Sequence, residues 1–231
     1  MTAGHGKARQ VSRFLSFGKN KLLEYLIEST LAKQGIADVV GVQREQIGGC
    51  SGFIYDDGKE RCVLYSNDLP CPLFTVLHEI GHCVLECIDQ EPNKNWNSES
   101  EDMVDNWAKD FVRPFVSREY WQRIQVLQGD ELYREVNMSL REELLDDSEI
   151  TLRLNDGLIC RDDDRVLFSF EKMKIYRLNE KAFAVIKLFS TKIEASFLSA
   201  IWSEYFDTEE KLLEFVDQCL ENNLLLLEHK C

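Results

Sequence analysis

The chain carries its most distinctive chemistry in the segment Phe74-Thr75-Val76-Leu77-His78-Glu79-Ile80-Gly81-His82. In an α-helix, residues four positions apart lie on one face, so this spacing lets His78 and His82 bind the same metal ion. Glu79 lies beside the pair, where a carboxylate can serve as a general base. Two nitrogen ligands, an open coordination position and a nearby base are typical of zinc hydrolases, so the segment predicts a zinc site with Glu79 as its catalytic residue.

The composition around the two histidines favours a buried helix. The chain has only four histidines, and two of them fall in this segment. The neighbouring positions are largely apolar, namely Leu73, Phe74, Val76, Leu77, Ile80, Val84 and Leu85. A helix with two exposed histidines would have the same spacing, but a buried pair beside a glutamate needs polar partners, and a metal ion supplies them. We therefore expect a buried helix from about Leu73 to Glu86.

Length and composition describe an ordinary globular protein of one large or two small domains. The chain has 231 residues, of which 44% are hydrophobic and 29% are charged. No apolar run approaches the roughly 20 residues that span a bilayer. Residues 1–20 include basic side chains but no continuous apolar core, so we expect no secretory signal and a cytoplasmic location.

The eight cysteines, at positions 50, 62, 71, 83, 87, 160, 219 and 231, form no Cys-x-x-Cys pair. Their spacing argues against a zinc ribbon or a thioredoxin-type redox site. Without a signal peptide, we expect them to be reduced thiols. Cys83 and Cys87 follow the histidine segment closely, but neither lies on the face of His78 and His82, so we interpret them as packing residues.

Net charge argues against polyanionic partners. The chain carries a formal charge of −14, which disfavours binding to nucleic acids or anionic membranes as its main role. The first 33 residues are an exception, with six Lys/Arg and two acidic residues. Such a basic arm can dock on an acidic partner, although a solvated helix face has the same composition.

The residues before the histidine segment predict a helix and a hairpin. Apolar residues recur at helical spacing over 12–34, and the β-branched residues of Ile36–Val42 predict a short strand. Residues 51–55 and 61–65 flank the turn signal Asp56-Asp57-Gly58 and predict a β-hairpin. An edge of this hairpin could hold an extended peptide substrate.

A second helix is predicted over Glu99–Val112, with Ser98 as its N-cap and Glu101 completing a capping box. Glu101 also lies on a mostly apolar face of the next helix after a two-histidine motif. It is therefore the predicted third zinc ligand, with Glu99 as the alternative. Asp105, one turn later, could accept a hydrogen bond from a ligand imidazole, or it could be a solvated charge.

These segments resemble the ImmA/IrrE family of zinc metallopeptidases, whose pattern is F-T-x-x-H-E-x-G-H followed by E-x-x-A-[ND]-x-F-A-x-x-L-L-x-P. The matching residues are Phe74-Thr75-Val76-Leu77-His78-Glu79-Ile80-Gly81-His82 and Glu101-x-x-Val104-Asp105-x-Trp107-Ala108-x-x-Phe111-Val112-x-Pro114, preceded by Ser51-Gly52 and the hairpin. The resemblance covers about residues 20–115. It implies zinc on His78, His82 and Glu101, with Glu79 as the base. The chain departs from the pattern at Val104 (alanine in the family), Trp107 (phenylalanine) and Arg113, changes that could reshape the substrate wall.

The residues after 115 predict further helices and then a change of architecture. Helices are expected over Arg118–Leu127 and Glu131–Leu145, with a domain boundary at Asp146-Asp147-Ser148. Beyond it, three short strands (158–161, 165–170 and 172–178) precede three helices (180–189, 195–205 and 207–222). The expected fold class is α+β, with a zincin-like metallopeptidase domain over 1–148 and a small winged-helix-like domain over 149–231.

Charge favours peptide binding over DNA binding for the second domain. Residues 151–231 carry 11 Lys/Arg and 15 Asp/Glu, and this net charge of −4 suits phosphate binding poorly. Tyr176–Leu188, the Phe206-Asp207 link and Cys219–Leu225 resemble PqqD-like domains, also called RiPP recognition elements. The resemblance implies that the leader of a precursor peptide is added as a strand beside residues 172–178, against the third helix. The residues implied in leader binding are Lys172, Lys174, Ile175, Tyr176, Leu212, Phe215, Val216 and Cys219.

Together the two resemblances predict a leader-guided zinc endopeptidase that matures a ribosomally made natural product, with maturation enzymes as further candidate partners. The second domain would raise the effective concentration of the attached cleavage site near the zinc. Tyr55, Tyr65 and Tyr120 are candidates for stabilising the oxyanion. The alternatives are an ImmA-type regulatory protease that cuts a repressor or antitoxin, and a non-catalytic zinc-containing module. The second domain could also be a purely structural accessory.

Overall fold

The computed structural model describes residues 20–34, 52–56, 61–65, 69, 71–85 and 98–230. The chain divides into two compact units between Leu144 and Leu145, a few residues before the predicted domain boundary. Both units mix helices with small antiparallel sheets, so the described fold is α+β. The helices of the described residues include none that is long and apolar enough to cross a membrane.

The first unit is mainly helical. Its elements are α1 (Lys21–Lys33), β1 (Gly52–Asp56), β2 (Arg61–Tyr65), α2 (Leu73–Val84), α3 (Ser98–Val112), a 3₁₀ turn (Arg113–Phe115), α4 (Arg118–Gln125) and α5 (Gly129–Glu143). Strands β1 and β2 pair antiparallel, with Ile54 opposite Val63, which confirms the predicted hairpin. The predicted strand at 36–42 lies outside the described residues.

Helix α2 lies at the centre of this unit. It packs against α1, α3, α5 and both strands of the hairpin. Residues 73–81 and Cys83 are all buried, because a helix surrounded on every side needs apolar residues on every face. Pro72 directly precedes the helix, and the helix ends at Val84, slightly earlier than predicted. The two histidines are therefore presented from the core of the unit.

Helix α3 runs alongside α2 and begins at Ser98, one residue earlier than the prediction. Its buried face carries Val104, Asp105, Ala108 and Val112. Lys109 is also buried, and its ammonium group donates a hydrogen bond to the Leu127 carbonyl oxygen just after α4 (2.7 Å). This bond joins α3 to the end of α4 and helps to set the position of the residues that face α2.

The second unit contains two three-stranded antiparallel sheets and three α-helices. Its elements are β3 (Ile150–Leu154), β4 (Leu158–Arg161), β5 (Val166–Ser169), β6 (Lys174–Arg177), α6 (Glu180–Leu188), β7 (Ile193–Glu194), a 3₁₀ turn (Ala195–Phe197), α7 (Leu198–Tyr205), α8 (Glu209–Glu221) and β8 (Leu225–His229). The strand orders are β7-β3-β8 and β4-β5-β6.

The predictions for this unit are confirmed for β4 to β6 and for the three helices. The expected count of three strands is wrong, because β3 and β8 pair along their whole length, from Ile150 opposite His229 to Leu154 opposite Leu225. This pairing joins the two ends of the unit. An apolar run such as Leu224–Leu227 has no alternation that would mark it as a strand in the sequence.

Candidate metal centre

Three side chains from two helices converge on one point. His78 and His82 come from α2 and Glu101 comes from α3, and one ligand atom from each lies within 4.8 Å of the others. The two Nε2 atoms are 3.1 Å apart. Glu101 Oε2 lies 3.2 Å from His78 Nε2, and Glu101 Oε1 lies 3.5 Å from His82 Nε2. The group can hold a metal ion.

The spacing of the three ligand atoms fits zinc. A zinc ion held tetrahedrally at about 2.0–2.1 Å by nitrogen and oxygen atoms requires ligands about 3.3 Å apart. The two Nε2 atoms are 3.1 Å apart, and they lie 3.2 and 3.5 Å from two different oxygens of the Glu101 carboxylate, so each of these neighbouring pairs of atoms is close to that value. Among the described residues, the cluster comprises two imidazoles and one carboxylate. A tetrahedral ion held by these three would keep one position for a further ligand.

Asp105 fixes the protonation of the His78 ring. Its Oδ1 lies 2.9 Å from His78 Nδ1, and both side chains are buried. A carboxylate only accepts hydrogen bonds, so Nδ1 carries the hydrogen and the Nε2 lone pair points into the cluster. Burial opposes a charge on His78, but hydrogen bonds to Asp105 and Glu101 outweigh it and raise the pKa of His78 to about 9. The neighbouring carboxylates thus favour positive charge on the ring, and a metal ion that binds at Nε2 would displace the hydrogen held there.

Glu79 follows the first histidine on α2 and is 7% exposed. Burial raises the pKa of the Glu79 carboxyl to about 7, with His78 opposing the shift and Glu101 adding to it. Glu79 therefore interacts electrostatically with two of the three residues of the cluster. A carboxyl group with a pKa near neutrality beside a candidate metal ligand can take up and release a proton.

The cluster is most accessible on the side of Glu101. The side chain of His78 is 6% exposed, that of His82 is 14% exposed and that of Glu101 is 28% exposed. Glu99, the alternative ligand, is exposed, and Glu101 is the α3 glutamate that joins the histidines. Cys83 is buried, which is consistent with packing, while Cys87 lies outside the described residues.

No protein-family model, curated protein or solved structure matches this chain. The geometry of the cluster is therefore the main support for assigning chemistry to the first unit.

Tyr133 on α5 belongs to the centre, although the sequence reasoning missed it. Its hydroxyl oxygen lies 2.7 Å from His78 Nδ1 and donates a hydrogen bond to Asp105 Oδ1 (3.0 Å). The sequence offers little sign of this role, because α5 is a separate amphipathic helix whose apolar stripe runs through Leu132, Val136 and Leu140. Only the packing of α5 against α2 places the tyrosine here.

The tyrosines proposed as oxyanion stabilisers are not shown at the cluster. Tyr120 is buried, its hydroxyl accepts a hydrogen bond from Ser139 (3.2 Å), and Arg123 lies over its ring. These contacts hold Tyr120 in the packing between α4 and α5. The side chains of Tyr55 and Tyr65 lie outside the described residues.

The residues predicted to bind a leader peptide fall into two groups. Lys174 and Ile175 are exposed on β6, Lys172 and Tyr176 are half-buried beside them, and Phe215 on α8 is half-buried against Phe206. In contrast, Leu212, Val216 and Cys219 are at most 2% exposed. The prediction for these three is wrong, because the apolar stripe of α8 forms the core of its own unit and presents no surface to a peptide.

Strand β6 and the end of α8 are nevertheless neighbours. The Lys172 ammonium group donates a hydrogen bond to the Glu221 carbonyl oxygen (2.8 Å), and the Tyr176 hydroxyl lies 3.5 Å from Asn222 Oδ1. The contact between the third predicted strand and the third helix therefore involves the helix C-terminus and polar groups.

Proposed function

We propose that the protein is a zinc-dependent endopeptidase of the ImmA/IrrE type, in which His78, His82 and Glu101 hold the metal. The convergence of two imidazole nitrogens and the Glu101 carboxylate, with neighbouring atoms 3.1, 3.2 and 3.5 Å apart, carries this proposal, together with a buried glutamate beside the first histidine. When bound, zinc supplies Lewis acidity, which polarises a peptide carbonyl group and lowers the pKa of water.

The residues of the chain have distinct parts in this reaction. A carboxylate oxygen of Glu79 accepts a proton from the attacking water and delivers it to the nitrogen of the leaving amine. Asp105 keeps the hydrogen of His78 on Nδ1, so that Nε2 stays available as a ligand. Burial of Glu79 and His78 excludes bulk water around these transfers.

The test compares wild-type protein with Glu79→Gln and, as a control on the exposed surface, Glu99→Gln. Metal content is measured by elemental analysis. Cleavage is followed by mass spectrometry on two probes, a proteome-derived peptide library and synthetic copies of small precursor peptides encoded beside the gene. We expect all three proteins to bind zinc and Glu79→Gln to lose cleavage by about 100-fold or more, the loss expected for a general base. A Glu79→Gln variant that cuts at the wild-type rate would exclude this mechanism.

We further propose that the second unit is a PqqD-like domain that recruits the substrate by adding a strand of the peptide to β6. This strand is at the edge of the sheet β4-β5-β6. Ile175 is 64% exposed, and Lys174 and Arg177 beside it are also exposed. An edge strand with accessible backbone and an exposed apolar side chain suits an extended peptide.

The recruitment proposal is tested with the precursor peptides named above. Binding is measured by calorimetry and located by amide hydrogen exchange. We expect the bound peptide to protect the backbone amides of β6 from exchange. Ile175→Asp should bind the peptide at least tenfold more weakly. The control Phe197→Asp changes another exposed apolar position of the same unit and should bind normally. Protection confined to other elements would contradict the proposal and leave a structural accessory as the role of this unit.

A further inference from the structure

Tyr133 forms a closed hydrogen-bonded triangle with two residues of the candidate centre. Its hydroxyl oxygen lies 2.7 Å from His78 Nδ1 and 3.0 Å from Asp105 Oδ1, and those two atoms are 2.9 Å apart. Each residue comes from a different helix, namely α5, α2 and α3. Three mutual contacts restrain the His78 ring more tightly than one bond to a carboxylate, because neither partner can turn without breaking a second bond.

The direction of each hydrogen bond follows from the chemistry of the groups. Asp105 only accepts, so the Tyr133 hydroxyl donates its single hydrogen to Asp105. The oxygen of that hydroxyl is then left as a second acceptor for the Nδ1 hydrogen of His78. Burial raises the pKa of Tyr133, with the neighbouring Asp105 adding to the effect, so the hydroxyl keeps its hydrogen.

We infer that Tyr133 is a positioning residue for the metal centre: through Asp105 and directly at Nδ1, it fixes the orientation and tautomer of His78. This inference rests on the proposed role of His78 as a metal ligand. The phenol ring supports it, because Tyr133 also packs edge-on against His78 and Phe74 on α2, with ring centroids 5.7 and 5.8 Å apart. Helix α5 thereby contributes to metal binding without supplying a ligand.

The competing role for a tyrosine here is an oxyanion stabiliser that touches substrate. The geometry favours positioning, because the hydroxyl lies on the Nδ1 side of the imidazole, whereas the metal-facing atom is Nε2 on the opposite side of the ring. An oxyanion stabiliser must also donate a hydrogen bond, and the single hydrogen of this hydroxyl is already donated to Asp105. A positioning role predicts weaker metal binding when the hydroxyl is removed, whereas an oxyanion role predicts unchanged metal affinity.

The experiment measures zinc and cobalt affinity by competition with a chromophoric chelator for wild-type, Tyr133→Phe and Tyr120→Phe proteins. Tyr120→Phe is a matched control, since it also removes a buried hydroxyl from this unit. We expect Tyr133→Phe to bind metal 10- to 100-fold more weakly, the range typical of residues that orient a ligand. Tyr120→Phe should change affinity by less than about threefold, since its hydroxyl bonds Ser139. The d–d spectrum of the cobalt form should shift in Tyr133→Phe alone.

Two results would overturn the inference. One is unchanged metal affinity in Tyr133→Phe, and a loss of turnover at that unchanged affinity would assign the oxyanion role instead. The other is an undiminished effect of Tyr133→Phe in an Asp105→Asn background, because the part of the effect that acts through Asp105 is lost there.

A measurement on the wild-type protein covers the case in which the variant does not fold. NMR should show a slowly exchanging Tyr133 hydroxyl proton with a nuclear Overhauser effect to the Nδ1 proton of His78, and rapid exchange of this proton would contradict the triangle. A wild-type protein that binds zinc but cuts neither probe would refute the proposed peptidase and leave the role of Tyr133 standing. A wild-type protein that binds no metal would refute both.

Discussion

Gly81 on α2 faces Trp107 on α3 at a separation that leaves no room for a side chain. A Cβ atom at Gly81 would lie 2.9 Å from Trp107 Cε3 and 2.9 Å from Val104 Cγ1. Both neighbours are larger than the residues found there in the ImmA/IrrE pattern. The glycine therefore allows the close approach of the two helices that carry the candidate metal ligands.

Gly81→Ala should lower the free energy of unfolding by about 1–3 kcal/mol, the usual cost of overpacking. In an open helix the same change would stabilise the protein by roughly 0.5–1 kcal/mol, so the sign tests the packing. The measurement is chemical denaturation.

A Val104→Ala change in the same protein should relieve part of the clash. The free energy of unfolding of the double variant should be about 0.5–3 kcal/mol higher than the value obtained by adding the changes of the two single variants, because the two positions touch. A stabilised Gly81→Ala protein would contradict the observed contact.

Glu101→Ala should weaken zinc binding by more than about 100-fold, beyond the range typical of residues that only orient a ligand. The reason is that the variant removes one of three ligand side chains. Glu99→Ala is the matched control, because Glu99 is exposed on the same first turn and should change affinity by less than about threefold. Equal effects of the two variants would refute the assignment of Glu101.

Asp105→Asn should reduce zinc affinity by about tenfold or more while the protein stays folded. An amide keeps the size of the carboxylate but loses its charge, and it is a weaker acceptor for the Nδ1 hydrogen of His78. Asp102→Asn, at an exposed position of the same helix, serves as the control. Zinc affinity of both variants is measured by competition titration with a chelator. Equal zinc affinities of Asp105→Asn and Asp102→Asn would show that the Asp105 carboxylate has no part in holding the His78 ring.

The second unit should show a pH-dependent contribution from Glu228 on β8. Hydrogen bonds to Lys192 (2.8 Å) and Arg153 (2.5 Å) lower the pKa of Glu228 from its ordinary value of 4.5. A lowered pKa means that the stabilisation is fully present above pH 4.5 and disappears as the pH falls through the pKa of the folded state. Glu228→Gln should therefore cost about 0.2–1 kcal/mol at pH 7 and less at pH 3, below the ordinary pKa. A stability difference that does not change between these two pH values would contradict this account.

Local features of the sequence were sufficient to predict the helices and the convergence of His78, His82 and Glu101 into a group that could hold a metal ion. The i, i+4 spacing of His78 and His82 places both on one face of any helix, and the apolar residues around them ensure that the helix is buried. Glu101 was predictable because a carboxylate on the apolar side of the next helix needs a partner. The hairpin and strands β4 to β6 were predictable for a similar reason, since turn signals separate short apolar runs.

Tertiary structure alone decided the features that depend on residues far apart in the chain. Tyr133 reaches His78 across 55 positions, and no periodicity within α5 indicates that one tyrosine turns toward α2. Strand β8 becomes a strand because β3 offers it an edge, and the stripe of α8 is buried by its own unit instead of meeting a peptide. The physical reason is the same in each case: side-chain pattern determines which face of an element is buried, but only packing determines what lies against that face.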